Sequence, residues 1–107
     1  MVTANVGVYC SIKAGITQLT RCMAREFGEM AGIRVNAIRP GLVNTEFIRH
    51  LSPEAQKSVA EPSLNRMVFR RPIEVSEVAN VVIYLSSSLS SMVTGSAILI
   101  DGGTSVT

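Results

Sequence analysis

Tryptophan is absent from this 107-residue sequence, histidine occurs once, and two tyrosines and three phenylalanines supply all the aromatic surface. Charge is scarce as well, with 17% of residues Asp, Glu, Lys or Arg, against ~25% in ordinary soluble domains. The balance is nearly even, 10 basic against 8 acidic residues, for a formal net charge of +2. So small an excess marks neither a nucleic-acid-binding face nor a membrane-surface patch. Nothing approaches the ~18 uninterrupted apolar residues of a membrane span; the run from Val78 to Leu85 is broken by Asn80. The opening Met1-Val2-Thr3-Ala4-Asn5 has no positive charge and no long apolar segment after it, which reads as no secretory signal. The two cysteines, Cys10 and Cys22, fall on one predicted helix, where twelve residues place them ~120° apart, too divergent to pair. Free thiols without an export signal point to a reducing, cytoplasmic compartment. One His and two distant Cys make no zinc site.

What the chain does have is apolar material: 47% of residues are hydrophobic and mean hydropathy is +0.32. Disorder is thereby excluded, and the length is that of one small domain. So little charge on so apolar a chain suits a piece whose surface is partly covered by something else.

Residues 8 to 27 carry a helical pattern, with Ile16, Leu19, Met23 and Phe27 on one side, Ala24 among them, and Thr17, Gln18, Arg21, Arg25 and Glu29 opposite. Gly28 and Gly32 are the stop signals. Ile33 to Ile38 reads as a short strand closed by Pro40-Gly41. Residues 42 to 72 form a long, irregular middle with one short helix over Pro53 to Ala60, Ser52 its N-cap and Pro53 its first residue. Segments of this kind are often lids or binding loops. A second helix spans Ile73 to Ser87, with Val75, Val78, Ala79, Val82 and Leu85 as its buried stripe. A serine-rich loop follows, then the strand Ser96 to Ile100 and the turn Asp101-Gly102-Gly103. Helices alternating with short apolar strands predict a parallel sheet covered on both faces, an α/β fold. Two strands alone leave an open edge and bury too little to stand by themselves, so the sequence reads as part of a larger α/β unit.

Tyr9 and Lys13 carry the sharpest chemical signal. Their i, i+4 spacing brings phenol and ammonium to one helix side, with Cβ atoms ~5–6 Å apart. A phenol with a pKa near ~10 is a poor acid–base group at neutral pH, and a neighbouring ammonium favours its phenolate. Such a pair suits protonation of a carbonyl oxygen or deprotonation of an alcohol. Spacing alone equally describes a core aromatic with a snorkelling lysine, which is the commoner outcome. Pro40-Gly41-Leu42-Val43-Asn44-Thr45 follows the first strand. Its glycine would let backbone approach a flat ligand and its threonine offers a hydroxyl, at the strand end where parallel sheets bind ligands. Taken singly, the same residues make an ordinary turn.

Other residues leave two readings open. Arg70-Arg71 reads as a solvated pair or a phosphate contact, and His50 as a surface or substrate-loop residue. Met67, Phe69 and Leu64 either line an apolar pocket or close the loop onto the core. Asp101 reads as a turn former.

Taken in order, Tyr9-(x)3-Lys13, Arg34-Val35-Asn36-Ala37, Pro40-Gly41 with Thr45, Val93-Thr94-Gly95 and Asp101-Gly102-Gly103 resemble the short-chain dehydrogenase/reductase family over essentially the whole chain. Each motif is weak alone; the ordered set is specific. The resemblance implies a Rossmann-type, doubly wound parallel sheet and an oxidoreductase using NAD or NADP on a small carbonyl or alcohol substrate. It is nearest to the carbonyl, sugar or acyl-carrier reductases. It implies Tyr9 as acid/base and Lys13 as its partner and holder of the nicotinamide ribose. Pro40, Gly41, Val43 and Thr45 would border the nicotinamide, with the Val43 backbone meeting the carboxamide. It also implies a substrate loop between Phe47 and Met67, and homo-oligomers packed through the helix that carries Tyr9.

Departures from the family are as informative as the matches. No Gly-x-Gly occurs, so the phosphate-cradling turn is missing. The residue that separates NAD from NADP and the Ser and Asn that precede the tyrosine are missing too. The match is to the C-terminal half of the family's domain, residues 1–107 with a substrate loop over about 42–72 and no nucleotide-binding half. Hydride transfer is thus the expected function, although the isolated chain is expected to be inactive. A non-catalytic remnant that associates through its helices, with itself or with full-length relatives, is the alternative.

Overall fold

The structure is a computed structural model that describes residues 7–106, all side chains among them except that of Phe47. The segment Met1 to Asn5, read above as no export signal, lies outside the described residues. Helix α1 spans Gly7–Ala31, strand β1 Ala37–Pro40, helix α2 Glu46–Arg49, helix α3 Pro53–Leu64, helix α4 Val75–Ser86 and strand β2 Ala97–Ile100, with single 3₁₀ turns at Ser88–Ser90 and Thr104–Val106. The fold class is α/β. β1 and β2 pair in one two-stranded sheet. Ala37 N–H donates to the Ser96 carbonyl and Gly41 N–H to that of Ile100; both strands advance together, so the pair is parallel.

The chain forms two compact units, one of Met1–Ala37 with Tyr84–Ile98, the other of Ile38–Ile83 with Leu99–Thr107. In the first, α1 runs through Gly28, one turn past the expected end, and stops at Gly32. There a φ of +64° turns the Gly32 and Ile33 amides back onto the carbonyls of Gly28 and Phe27. The buried side of α1 is Thr20 and Ala24, with Met23 and Phe27 half-buried. Ile16 and Leu19, expected in the core, are 44% and 56% exposed. Ala24 faces Gly95, where a Cβ would make ordinary contact with the Ala24 methyl at 3.5 Å, whereas Ile16 and Leu19 lie on a side of α1 that the described residues leave largely uncovered. The Thr20 hydroxyl tolerates burial because it donates to the Ile16 carbonyl at 2.9 Å.

Arg34 and Asn36 organise the rest of this unit. The Arg34 guanidinium donates to the carbonyls of Leu85 (2.8 Å), Val93 (3.3 Å) and Ser87 (3.3 Å) and to Ser90 Oγ (3.0 Å). Ser90 is fully buried. Asn36 donates through Nδ2 to the Val93 carbonyl and accepts the Ser96 amide, while the Val35 amide donates to Thr94 Oγ1. Over residues 35–36 these side-chain links accompany a single main-chain bond, from the Gly95 amide to the Val35 carbonyl at 2.7 Å, and the regular strand begins at Ala37 rather than Ile33.

In the second unit the buried residues are Met67 and Ile73. Ser52 caps α3, its Oγ accepting the Ala55 amide at 3.2 Å. The helix continues past Ala60 to Leu64 with Pro62 inside it. It survives because Ser58, whose carbonyl would have taken the missing Pro62 N–H, is exposed and open to water. α2 has only four residues, too few to show a periodicity. Of the expected α4 stripe, Val78 and Leu85 are half-buried, while Val75, Ala79 and Val82 are exposed.

Candidate active site

Tyr9 and Lys13 lie in the first two turns of α1 and do come together. The Lys13 Nζ is 5.5 Å from the centroid of the Tyr9 ring, within cation–π range. Tyr9 is 61% exposed, so it is no core aromatic among the described residues. Cys10 and Cys22 are both free thiols.

Pro40, Gly41, Val43 and Thr45 form a second group, in the loop that leaves β1. Proline suits the last strand position because it has no N–H to donate, and the ladder resumes with the Gly41 amide. A Cβ on Gly41 would lie 3.1 Å from Asp101 Cα and 3.5 Å from Ile73 Cδ1. This glycine therefore admits the backbone just past β2 at Asp101. Beyond it, Val43 bridges Ile73 in parallel fashion: Ile73 N–H donates to the Leu42 carbonyl and Asn44 N–H to that of Ile73. Alternation along the extended chain turns Val43's own N–H and C=O away from Ile73. Thr45 takes the N-cap position of α2 with φ −101° and ψ 162°, yet its side chain makes no capping hydrogen bond, which leaves the hydroxyl for another partner.

A network that the sequence did not disclose holds this loop. Asn44 Nδ2 donates to both carboxylate oxygens of Glu74, at 3.1 and 3.3 Å. Arg49 donates through Nε to Asn44 Oδ1 at 3.1 Å and through Nη2 to the Asn44 carbonyl at 3.3 Å. Asn44 stood inside the motif as an unremarked position, and its partners are 5 and 30 residues away, with no spacing rule to link them.

The second unit also has a cavity of about 320 Å³, walled by Met67, Phe69, Ile73, Leu99 and the turn Asp101 to Gly103, with Arg71 and Glu77 beside them. None of the residues predicted for the site lines it. Met67 is buried and Phe69 is 72% exposed, and both line the cavity. Arg71 is no free cation: it forks onto Glu77 at 2.6 and 2.8 Å. Hydrogen bonding from Arg71, then from the Glu74 amide, holds the Glu77 carboxyl at about 2. Asp101 is a turn former as expected. Its carboxylate accepts the amides of Gly103 and Ser105, and hydrogen bonding, from Ser105 above all, keeps it below the usual carboxylate range. His50 is exposed, on the turn that ends α2.

A chain with two parallel strands, an exposed Tyr-x₃-Lys pair on one helix and a braced loop at a strand's carboxyl end falls in the class of parallel α/β folds. Comparison with known proteins fixes the class: a family model described as enoyl-(acyl carrier protein) reductase matches residues 1–105, and the chain belongs to the short-chain dehydrogenase/reductase family. It is 42% identical over 101 residues to L-xylulose reductase of Caenorhabditis elegans, covering 92% of this chain and 38% of that protein. It is 40% identical over 95 residues to 3-oxoacyl-(acyl-carrier-protein) reductase FabG of Pseudomonas aeruginosa, covering 89% and 36%. Among solved structures it resembles a small-chain dehydrogenase in complex with NADPH, with a TM-score of 0.82 and 30% identity, over 99% of this chain and 46% of the other. It also resembles 4-hydroxyisoleucine dehydrogenase complexed with NADH, with a TM-score of 0.77 and 31% identity, over 92% and 40%. The chain spans about two-fifths of the length of the curated relatives it matches. Among the described residues no helix is long and apolar enough to cross a membrane, and no cluster of His, Cys, Asp or Glu could hold a metal ion.

Proposed function

We propose that this chain supplies the C-terminal, nicotinamide- and substrate-facing part of a Rossmann-type domain that interconverts a small carbonyl compound and its alcohol with NAD(P)(H). The observation that carries the reading is the exposed phenol of Tyr9 beside the Lys13 ammonium on one helix side. In this role Tyr9 Oη gives its proton to the carbonyl oxygen in reduction and takes it back from the alcohol in oxidation. Lys13 stabilises the deprotonated phenol and holds the ribose hydroxyls. Pro40, Gly41, Val43 and Thr45 border the nicotinamide. The amide of Val43, turned away from Ile73, and the uncapped hydroxyl of Thr45 fit a carboxamide, which both donates and accepts; the Val43 carbonyl accepts the Thr45 amide at 2.9 Å. When bound, the nicotinamide supplies or accepts the hydride. Residues 47–67, with α3 and its flanking turns, form the substrate segment. Relatives named as reductases of xylulose, erythrulose and 3-oxoacyl groups support a ketone substrate.

Titration of the chain with NADH and with NADPH, followed by nicotinamide fluorescence, tests the site and reads the cofactor preference. With a turnover-competent preparation, Tyr9→Phe is expected to abolish reduction of a small ketose or diketone while leaving the cofactor Kd within about twofold. Undiminished turnover by Tyr9→Phe would refute the assignment.

A second reading rests on a different observation, the exposed apolar residues Val8 (78%), Ile12, Ile16 and Leu19 along α1. In it the chain is non-catalytic and associates through helices with itself or with full-length relatives. Sedimentation of the pure chain that gives assemblies without saturable cofactor binding would favour it; a cofactor-binding chain would not.

A further inference from the structure

We propose that Asn44 is a positioning residue for the nicotinamide-facing loop, an inference that rests on the function proposed above. The loop presents Val43 main chain on one side of Asn44 and the Thr45 hydroxyl on the other, so the conformation of this one residue sets both. Every polar group of Asn44 is engaged. Its amide donates to the Ile73 carbonyl at 2.8 Å, its carbonyl accepts from Arg49 Nη2, its side-chain nitrogen donates to Glu74, and its side-chain oxygen accepts from Arg49 Nε. The polarity is fixed by charge. Reversing the side-chain amide would set oxygen against carboxylate and NH₂ against guanidinium, so only one orientation is stable.

Glu74 provides an independent sign that the tie is a built feature. It occupies the N-cap of α4: the Glu77 amide donates to its carbonyl at 2.9 Å, and the Glu77 carboxylate reaches back to accept the Glu74 amide at 2.8 Å. That is one half of a capping box. In the usual other half the N-cap side chain turns onto its own helix, but the Glu74 carboxylate turns to Asn44 instead. Arg49 is the last residue of α2. Asn44 therefore ties the loop at once to the start of α4 and to the end of α2, the entrance to the segment proposed to hold substrate. The tie couples cofactor loop and substrate segment through a single amide.

The test exploits this polarity. Asn44→Asp keeps the shape and the acceptor for Arg49 but sets two carboxylates face to face. The double variant Asn44→Asp/Glu74→Gln restores a donor–acceptor pair in the reverse sense and also the wild-type net charge, so a general effect of charge on an anionic cofactor cancels. Two readouts are taken on the 107-residue chain: amide hydrogen exchange over residues 43–50 without cofactor, and the Kd for NADH and NADPH by nicotinamide fluorescence. Asn44→Asp is expected to speed exchange at residues 43–50 and to raise the Kd about tenfold, which corresponds to about 1.4 kcal/mol. The double variant is expected to return both to within about twofold of wild type. Unchanged exchange in Asn44→Asp, a normal Kd in that variant, or a double variant as impaired as the single one would each overturn the positioning role while leaving the site assignment intact. A wild-type chain that binds neither NADH nor NADPH would overturn the role and the underlying reading together.

Discussion

Replacing Arg34 by alanine is the most exacting test of how this chain holds its first unit. The guanidinium makes four hydrogen bonds, three of them to main-chain carbonyls near the end of α4 and beyond it, where helix carbonyls lack intrahelical donors and a positive charge is favoured. At ~1.5–3 kcal/mol for each charged bond, a simple sum would rival the whole stability of a small domain. The structure argues for much less. The Leu85 carbonyl keeps the Ser90 hydroxyl as donor at 2.9 Å, the Ser87 carbonyl keeps the Ser90 amide at 3.4 Å, and the Val93 carbonyl keeps Asn36 Nδ2 at 2.8 Å. No carbonyl is orphaned, so the cost is that of lost charge-assisted bonds at a half-buried site, about 2–3 kcal/mol. In urea unfolding followed by circular dichroism this appears as a lower midpoint at constant slope, and in thermal unfolding as a drop of roughly 10–20 °C. Arg34→Lys retains the charge without the planar fork and should fall between. A double-mutant cycle with Ser90→Ala should show coupling of about 1 kcal/mol. A loss under about 0.5 kcal/mol for Arg34→Ala, or equal losses for alanine and lysine, would refute the reasoning.

Three other positions carry predictions of comparable sharpness. Gly103 has φ +86°, and a Cβ there would lie 2.6 Å from Val68 Cγ2 and 2.9 Å from Val68 Cβ; Gly103→Ala should cost about 2 kcal/mol or more. Gly32 has φ +64° but open space around it, so Gly32→Ala should cost only about 1 kcal/mol, and equal costs at the two sites would show that the Val68 contact does not matter. The Glu77 carboxyl sits at about 2 in place of 4.5. Because the folded value is the lower one, its contribution is complete above pH 4.5 and disappears as pH falls toward 2. Glu77→Gln should therefore flatten acid unfolding in that window. The ion pair is exposed, so added salt should shrink the difference, and a salt-independent slope would contradict the assignment.

The sequence disclosed the elements better than their faces. Five of the six regular elements can be read from hydrophobic period and stop signals, because such signals are local: Gly32 ends α1 through its own φ, and Ser52 with Pro53 starts α3 through adjacent atoms. α2 was too short to show a period, and the onset of β1 at Ala37 depended on side chains at Asn36 and Thr94 whose partners lie some sixty residues away. The buried side of α1 was misread because apolar character does not say what will pack against it.

The candidate site divides along the same line. One helical turn sufficed to place Tyr9 beside Lys13, since i, i+4 geometry is a property of the helix itself, and the order of the motifs sufficed to give the family. What Asn44, Glu74 and Arg49 do together, why Gly41 must lack a side chain, and why Arg71 is paired rather than free were decided by tertiary structure alone. Each depends on residues brought together by the course of the chain between its two parallel strands. A hydrogen bond or a close approach is a fact about distance in space, and only repeating backbone geometry converts distance along the chain into that.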